Sequence, residues 1–245
     1  AANRGIKIFH MEAGLRAWDK RMPEQRNRIL IDHMSDILLP YNQYHRENLI
    51  KENIHPSKIF CTGNTTFEAM REFAPQVDNS KILSRLNLEP KNYILVTAHR
   101  SENVDNTEYL HRIIEATGKI VKKFKCEVIY PMHPRTKSKL FDFEIPKGVR
   151  IIDPLGFYDF NYLLKKSFCV VSDSGTAAEE GIFYKVPNVS LRMATERPET
   201  VESGATIISG MKLDNILESI ETAISIPWSA KYDFSSNHSP SSVVV

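Results

Sequence analysis

Short runs of apolar and β-branched residues recur along the chain, and they alternate with longer stretches in which apolar residues keep helical spacing. This alternation is typical of βα units built around a parallel sheet. We predict an α/β fold whose parallel strands are covered by helices on both faces, in the doubly wound manner. The predicted strands are 6–10, 36–40, 58–62, 93–98, 126–131, 149–153, 168–172, 187–191 and 205–209.

Two of the helices expected between these strands have clear sequence signals. Residues 107–123 keep apolar positions at helical spacing, and Asp105 or Asn106 can cap the first turn. Residues 23–34 begin with Pro, whose missing N–H is tolerated at the first helical position. This second helix places three apolar side chains on one face, Leu30, Ile31 and Met34.

Residues 74–92 divide the chain, because two prolines, several Asn residues and little strand character favour a linker. We therefore predict the C-terminal part of one Rossmann-like domain over 1–73 and a complete, nucleotide-binding Rossmann-like domain over 93–226. A Ser-rich tail follows over 227–245. The sequence lacks an initiator Met and already reads as a strand at 6–10, so we expect that an upstream part of the first domain is missing.

The composition is that of an ordinary globular protein. The 245 residues are 42% hydrophobic and 25% charged, and 32 basic residues nearly balance 30 acidic ones. Since neither a block of like charges nor a long apolar run occurs, we predict no nucleic-acid or membrane partner and a cytoplasmic location. The three cysteines show no zinc-binding spacing and no Gly-rich dinucleotide motif is present, so we predict no metal and no cofactor.

Ligands of open parallel sheets bind beyond the carboxyl ends of the strands, so polar residues that follow a strand are the candidates for chemistry. Glu12 follows the first predicted strand and precedes Gly14, which lets the backbone turn. Glu24 lies in the first turn of a predicted helix, where the helix dipole stabilises an anion. On position alone, Glu12 could instead pair with Arg16, and Glu24 could be a surface carboxylate.

His99 and Arg100 end a strong predicted strand and could meet an anionic leaving group. A solvated turn closed by an Arg100–Glu102 pair is the alternative at this position. Arg197 follows a later strand and is expected to face the same edge of the sheet, with a surface capping segment as its alternative.

Ser174, Gly175 and Thr176 connect another predicted strand to a helix that starts with small residues. Free backbone N–H groups and the helix dipole point at one spot in such a turn, which suits a diphosphate. Glu180 lies one turn into the helix, where it can accept hydrogen bonds from hydroxyl groups such as those of a ribose.

Taken together and in chain order, seven segments resemble motifs of the non-hydrolysing UDP-N-acetylglucosamine 2-epimerase family. They span nearly the whole chain, and their common order makes the resemblance specific although each motif alone is short. The segments are His10 to Arg16, Pro23-Glu24 with Asn27-Arg28, Thr62 to Asn64, Thr97 to Arg100, Asp153-Pro154, Ser172 to Gly175 with Glu179-Glu180, and Thr195 to Glu199.

The resemblance implies the glycosyltransferase-B type of fold, in which substrate lies between two Rossmann-like domains, and an isomerase of polysaccharide biosynthesis that acts as a homodimer. It also implies that UDP leaves C1 of the sugar as the C2 proton is removed, and that UDP returns as C2 is protonated from the opposite face. Glu12, Glu24 and His99 match the catalytic positions. The predicted substrate-binding residues are Arg100, beside His99, and the nucleotide-binding positions Phe160, Ser174, Gly175, Thr176, Glu180 and Arg197.

Two positions depart from the family pattern, since Thr176 stands where many members have Gly and Leu155 where Gln is frequent. The family's N-terminal Arg, Lys and Asp positions have no counterpart in this chain. We therefore keep a 2-epimerase of another UDP-2-acetamido sugar and a glycosyltransferase of the same fold as alternatives. An inactive nucleotide-sugar sensor and a hydrolysing 2-epimerase fit the motifs less well.

Overall fold

The computed structural model describes residues 1–19, 22–140, 143–227 and 239–244, apart from the side chains of Pro23, Glu102 and Arg135. The strands are β1 (Phe9–Met11), β2 (Ile37–Leu39), β3 (Tyr93–Thr97), β4 (Glu127–Pro131), β5 (Val149–Ile152), β6 (Cys169–Ser172), β7 (Asn188–Ser190) and β8 (Thr206–Ile208). The helices are α1 (Pro23–Met34), α2 (Gln43–Lys51), α3 (Thr65–Glu72), α4 (Ala74–Asp78), α5 (Ile82–Leu86), α6 (Ser101–Val104), α7 (Thr107–Phe124), α8 (Pro134–Lys137), α9 (Phe157–Lys166), α10 (Gly175–Tyr184), α11 (Pro198–Glu202), α12 (Leu213–Ser225) and α13 (Pro240–Val244).

The contacts divide the chain into two compact units. The first comprises Ala1–Met70, Ala194–Glu199 and the described residues near the C-terminus, 239–244. The second comprises Arg71–Met193 and the described residues from Thr200 onward to 227. Each unit is described by itself below.

The second unit contains a six-stranded, all-parallel sheet with the strand order β5-β4-β3-β6-β7-β8. Counted from the first strand of the unit, this order is 3-2-1-4-5-6, which is that of a doubly wound nucleotide-binding fold. The order reverses between β3 and β6, where Thr97 pairs with Ser172 at the ends of both strands. The predicted α/β class with a doubly wound parallel sheet is therefore confirmed.

Both faces of this sheet are covered by helices. Successive residues of a strand point to opposite faces, so neighbouring residues of β3 belong to different buried clusters. In β3, Ile94 and Val96 join a buried cluster that includes residues of α7 and α12. Tyr93 and Leu95 join a separate buried cluster that includes residues of α5 and α9. Strands buried on both faces read as continuous apolar runs, which is why the sequence predicts them well.

The first unit contains a parallel pair, β1 and β2, packed on a small core of Ala13, Leu38, Leu49 and Ile59. The predicted strand 58–62 is wrong, because only a single parallel bridge joins Leu38 and Ile59 there. Pro56 begins a short 3-10 helix just before this bridge. A turn of that kind shortens the extended backbone that a strand needs.

Residues 74–92, which we predict as a linker, lie within the second unit and contain α4 and α5. Val77, Ile82 and Leu83 are buried there. Pro75 was the misleading signal, since it lies in the first turn of α4, where a missing N–H is tolerated. Of the predicted tail, residues 228–238 and 245 lie outside the described residues, and α13 follows them.

Helix α1 begins and ends at the predicted residues, but its apolar face is not buried within the unit. Leu30, Ile31 and Met34 are 60%, 44% and 53% exposed, whereas the polar Gln25 and Asp32 are buried. Within the described part of the chain, none of the helices has the length and apolar character needed to cross a membrane.

Candidate active site

Glu12 is the first residue after β1, at the carboxyl end of the strand. Its φ of 63° lies in the left-handed region that residues with side chains rarely adopt. The hydroxyl of Tyr41, which lies beyond the neighbouring strand β2, donates a hydrogen bond to the Glu12 carboxylate and is 3.4 Å from the Thr65 hydroxyl. A strained backbone held by specific contacts is typical of functional positions. These contacts give Glu12 a defined orientation.

Arg16 is buried and is bound by carboxylates other than Glu12. Its Nε and Nη2 donate to Glu52 at 2.7 Å each, and Nη2 lies 2.7 Å from Asp32. Burial lowers the pKa of Arg16, but the hydrogen bonds and charges of Glu52 and Asp32 outweigh burial and raise it overall. The alternative in which Glu12 serves as the partner of Arg16 is therefore wrong.

Glu24 lies in the first turn of α1 and is exposed. Arg28, one turn later, has its Nη2 3.7 Å from a carboxylate oxygen of Glu196. Burial lowers the pKa of Arg28 and the charge of Arg197 lowers it further, while Glu196, Glu12 and Glu24 oppose this shift. Arg28 therefore lies within electrostatic reach of both carboxylates that we predict to be catalytic.

Arg197 belongs to the segment Ala194–Glu199, which groups with the first unit. Its side chain is buried, and Nη1 donates to Glu196 at 2.6 Å. Its backbone N–H donates to the Thr195 hydroxyl at 3.1 Å. The bond to Glu196 fixes the guanidinium within the first unit, and the bond to Thr195 fixes the backbone. The contact of Arg197 with UDP stays a prediction.

In the second unit, His99 and Arg100 follow β3, and Ser174 follows β6. Both groups therefore lie at the carboxyl ends of the two strands between which the strand order reverses. In doubly wound sheets this position forms the ligand crevice. The His99 side chain is 56% exposed, so its imidazole is accessible to a ligand.

Ser174 is the N-cap of α10, and its hydroxyl accepts a hydrogen bond from the Ala177 N–H at 3.5 Å. The Ser174 N–H itself donates to the Ser172 hydroxyl at 2.9 Å. Gly175 and Thr176 occupy the first turn, where backbone N–H groups have no acceptor within the helix. The turn thus has the donors and the dipole that an anion-binding helix start requires.

Glu180 is buried one turn further along α10. Burial raises the pKa of Glu180 to about 8, the nearby charge of Glu179 adds to this, and a hydrogen bond from Asn161 Nδ2 at 3.4 Å opposes it. The carboxyl group is therefore largely neutral at pH 7. Phe160, on α9 with Asn161, is half-buried and packs against the buried cluster that contains Tyr93.

The raised pKa of Glu180 predicts a stability that depends on pH. An ordinary Glu ionises near pH 4.5 when the chain unfolds, but the folded group resists ionisation up to about pH 8. The contribution of Glu180 to the free energy of unfolding is therefore fully present below about pH 4.5 and is lost as the pH rises through about 8. We expect Glu180→Gln to raise the free energy of unfolding by about 4–5 kcal/mol at pH 8.5 and to change it little at pH 4.5.

Thermal unfolding at both pH values measures this difference. Glu218→Gln, which removes a charge from the exposed surface of α12, serves as the matched control and should shift neither value. Equal effects of Glu180→Gln at both pH values would contradict the raised pKa of Glu180.

Four residues of this region make contacts in the candidate site that no sequence motif predicts: Tyr41, Arg28, Asn161 and Asp173. Tyr41 carried a usable signal, because it follows the predicted strand 36–40 just as Glu12 follows 6–10. Asn161 contacts Glu180 from a different helix, and Asp173 contacts the segment after a neighbouring strand. Such pairings depend on which elements become neighbours, which the sequence alone does not specify.

The doubly wound sheet and the helix start at its point of reversal define a protein of the nucleotide-binding α/β class. Comparison with known proteins narrows this class to one family. Residues 1–240 match the family described as UDP-N-acetylglucosamine 2-epimerase, and the chain belongs to this family. The resemblance found from the seven motifs is thereby confirmed.

Individual relatives agree with this assignment. The chain is 38% identical over 230 residues to a UDP-N-acetylglucosamine 2-epimerase of Methanococcus maripaludis, covering 90% of this chain and 63% of the relative. It is 35% identical over 227 residues to a UDP-2,3-diacetamido-2,3-dideoxy-D-glucuronate 2-epimerase of Pseudomonas aeruginosa, covering 91% and 62%.

A crystal structure of the Methanocaldococcus jannaschii UDP-GlcNAc 2-epimerase in complex with UDP-GlcNAc and UDP matches with a TM-score of 0.91 and 35% identity. The match covers all of this chain and 69% of that one. This likeness confirms the predicted fold of the glycosyltransferase-B type. The chain thus spans 62% to 69% of the length of these relatives.

Proposed function

We propose that this protein is an isomerase that interconverts UDP-N-acetylglucosamine and its C2 epimer, UDP-N-acetylmannosamine. The observation that carries the proposal is that His99 and the helix start at Ser174 follow the neighbouring strands β3 and β6, at the point where the strand order reverses. A histidine beside a diphosphate-binding turn is suited to a reaction in which UDP is the leaving group. Family membership supports the same reaction.

The C2 proton of a pyranose is not acidic, because no carbonyl group neighbours C2. In the proposed reaction the C1–O bond breaks and its electron pair goes to the diphosphate. At the same time the electron pair of the C2–H bond forms the C1–C2 double bond of 2-acetamidoglucal. The proton goes to a carboxylate. UDP then adds back to C1 as C2 receives a proton on the opposite face.

Each of these steps requires a group of a particular chemical type. Negative charge that develops on the diphosphate is stabilised by the N–H groups of Gly175 and Thr176 and by His99. Positive character on the ring favours carboxylates nearby, and Glu12 and Glu24 are the proposed groups for proton removal and return. Tyr41 holds the Glu12 carboxylate in place through its hydroxyl.

NMR of UDP-N-acetylglucosamine incubated with the complete protein tests the proposal. We expect a new anomeric signal of the manno type to grow until the two epimers reach equilibrium. Release of free N-acetylmannosamine would instead indicate a hydrolysing enzyme, and transfer of the sugar to an added acceptor would indicate a glycosyltransferase.

A second substrate is favoured by two observations. Thr176 and Leu155 replace residues that are frequent in the family, and the Pseudomonas aeruginosa relative is named for a UDP-2,3-diacetamido sugar acid. The same NMR assay with that sugar nucleotide distinguishes the substrates, since the higher kcat/KM identifies the preferred one. The predicted homodimer and the cytoplasmic location stay predictions from the resemblance.

UDP affinity tests the nucleotide-binding residues separately from the chemistry. We expect Ser174→Trp to weaken UDP binding at least about tenfold, because the indole fills the space in front of the helix start, and Arg197→Ala to weaken it through the loss of a charge-assisted contact. Lys212→Trp places the same bulk at the start of α12 and should leave UDP affinity unchanged. Titration calorimetry gives the affinities, and unchanged binding in both site variants would place the phosphates elsewhere.

A further inference from the structure

Asp173 is a buried carboxylate that lies between two parts of the candidate site. It follows β6 directly and precedes Ser174, the N-cap of α10. Its side chain is completely buried, although an ionised carboxylate is costly to remove from water unless donors surround it. The contacts of this carboxylate therefore need an explanation.

Every hydrogen bond of the Asp173 carboxylate comes, within the described residues, from the segment that carries His99. The His99 N–H lies 3.1 Å from each carboxylate oxygen, and Oδ2 also accepts from the Arg100 N–H at 3.0 Å. Asn103 Nδ2 donates to the same oxygen at 3.0 Å. In addition, the His99 Nδ1 lies 3.7 Å from Oδ1, so the imidazole faces the carboxylate as well.

The residue before His99 is fixed by a different group. The buried Tyr130 hydroxyl donates to the Ala98 carbonyl at 2.9 Å. Burial raises the pKa of Tyr130, and the negative charge of Asp173 raises it further, so the phenol keeps its proton and remains a donor. The His99 segment is thus held from two sides, and of these two groups Asp173 is the one that hydrogen-bonds to His99 itself.

The backbone of Asp173 also ties this segment to the helix start. Its N–H donates to the Thr97 carbonyl at 3.2 Å, and the next N–H, that of Ser174, donates to the Ser172 hydroxyl at 2.9 Å. The carboxylate takes no part in the capping bond from Ala177 to Ser174. Loss of the carboxylate should therefore displace His99 and leave the anion-binding turn formed.

We propose that Asp173 is a positioning residue that sets the His99 imidazole relative to the helix start at Ser174, and that it acts on turnover through His99. This inference rests on the proposed function, in which His99 meets the diphosphate as UDP leaves. Small displacements of such a group are costly, because a shift of about 1 Å lowers rates by about a hundredfold.

Asp173→Asn tests the proposal in the complete protein, since Asn keeps the volume but replaces one acceptor oxygen by a donor. We expect kcat to fall about 30- to 100-fold, while the affinity for UDP in calorimetry changes by less than about threefold. In a His99→Ala background, the same substitution should change kcat by less than about threefold, because the residue through which it acts is gone.

Tyr130→Phe is the matched control, because it removes a buried hydrogen bond to the same segment that is made to Ala98 and not to His99. It should lower the melting temperature but change kcat by less than about threefold. If Asp173→Asn does not fold, Asn103→Ala removes one donor to the carboxylate and should lower kcat about three- to tenfold, again only when His99 is present.

Losses of kcat that multiply in the double variant would overturn the proposal, as would an equal loss in Tyr130→Phe or a matching loss of UDP affinity. These outcomes are distinct from failure of the proposed function. In that case the wild-type protein itself would produce no epimer, whereas a failure of this inference leaves wild-type epimerisation intact.

Discussion

Replacing Glu12 with Gln is expected to lower the turnover of the complete protein at least about a hundredfold, the size of effect typical of general acid–base groups. Gln keeps the shape of the side chain and can still accept the Tyr41 hydrogen bond, but it cannot take up a proton from C2. Because the substitution leaves the helix start at Ser174 untouched, UDP affinity should change by less than about twofold.

Initial rates from NMR and UDP affinities from calorimetry provide the two readouts. Glu47→Gln, a change at an exposed glutamate of α2 in the same unit, is the matched control and should leave both unchanged. Turnover of the Glu12 variant at a near wild-type rate would remove Glu12 from the mechanism. A loss of UDP affinity that accounts for the whole effect would assign Glu12 to binding.

Gly14→Ala is expected to cause the largest loss of stability among the substitutions considered. Gly14 has a φ of 81°, and a Cβ atom built there would lie 2.1 Å from the His45 carbonyl oxygen and 3.0 Å from Leu49 Cγ. Left-handed backbone costs a residue with a side chain about 1–2 kcal/mol, and overpacking adds about 1–3 kcal/mol. The free energy of unfolding should therefore fall by about 2–5 kcal/mol.

Gly5→Ala separates the cost of the left-handed backbone from the cost of overpacking. Gly5 also has a positive φ, 68°, but a Cβ there would meet no atom within 4 Å. It should cost only the backbone term, about 1–2 kcal/mol. Chemical denaturation of both variants gives the two free energies of unfolding. Equal losses of stability would show that the close approach of α2 to Gly14 adds nothing to the cost of the substitution. Gly14→Ala would also displace the neighbouring Glu12, so the turnover of this variant should fall together with its stability.

The sheet of the second unit could be predicted strand by strand, because its inner strands are buried on both faces and read as apolar runs between polar turns. The first unit was harder to predict. Its β2 is short, the predicted strand 58–62 reduces to one bridge, and the apolar face of α1 is exposed while Asp32 is buried. There, polar residues occupy the interior through ion pairs such as Arg16–Asp32, and hydrophobic spacing does not reveal them.

The candidate site could be predicted in part for a similar reason. The structure places Glu12, His99 and Ser174 after strands, as the sequence predicts, because ligands bind beyond the carboxyl ends of parallel strands, while their roles in binding and catalysis stay predictions. Their partners were not found. Tyr41 meets Glu12 only because β1 and β2 are neighbours, and Asp173 meets His99 only because β3 and β6 are neighbours. Strand order decides such contacts, and it is not encoded in any local segment.

Loss and return of the proton at C2 separate the proposed reaction from glycosyl transfer and from simple hydrolysis of the sugar–phosphate bond, so the decisive measurement is the origin of the hydrogen at C2 of the product. The complete protein is incubated with UDP-N-acetylglucosamine in heavy water, and the products are followed by NMR and mass spectrometry. Carboxylates that reach solvent exchange their protons quickly, and Glu24 is exposed. We therefore expect the manno epimer to carry deuterium at C2, with UDP and 2-acetamidoglucal accumulating slowly as the intermediate escapes. An epimer that retains hydrogen at C2, without any glycal, would contradict the account.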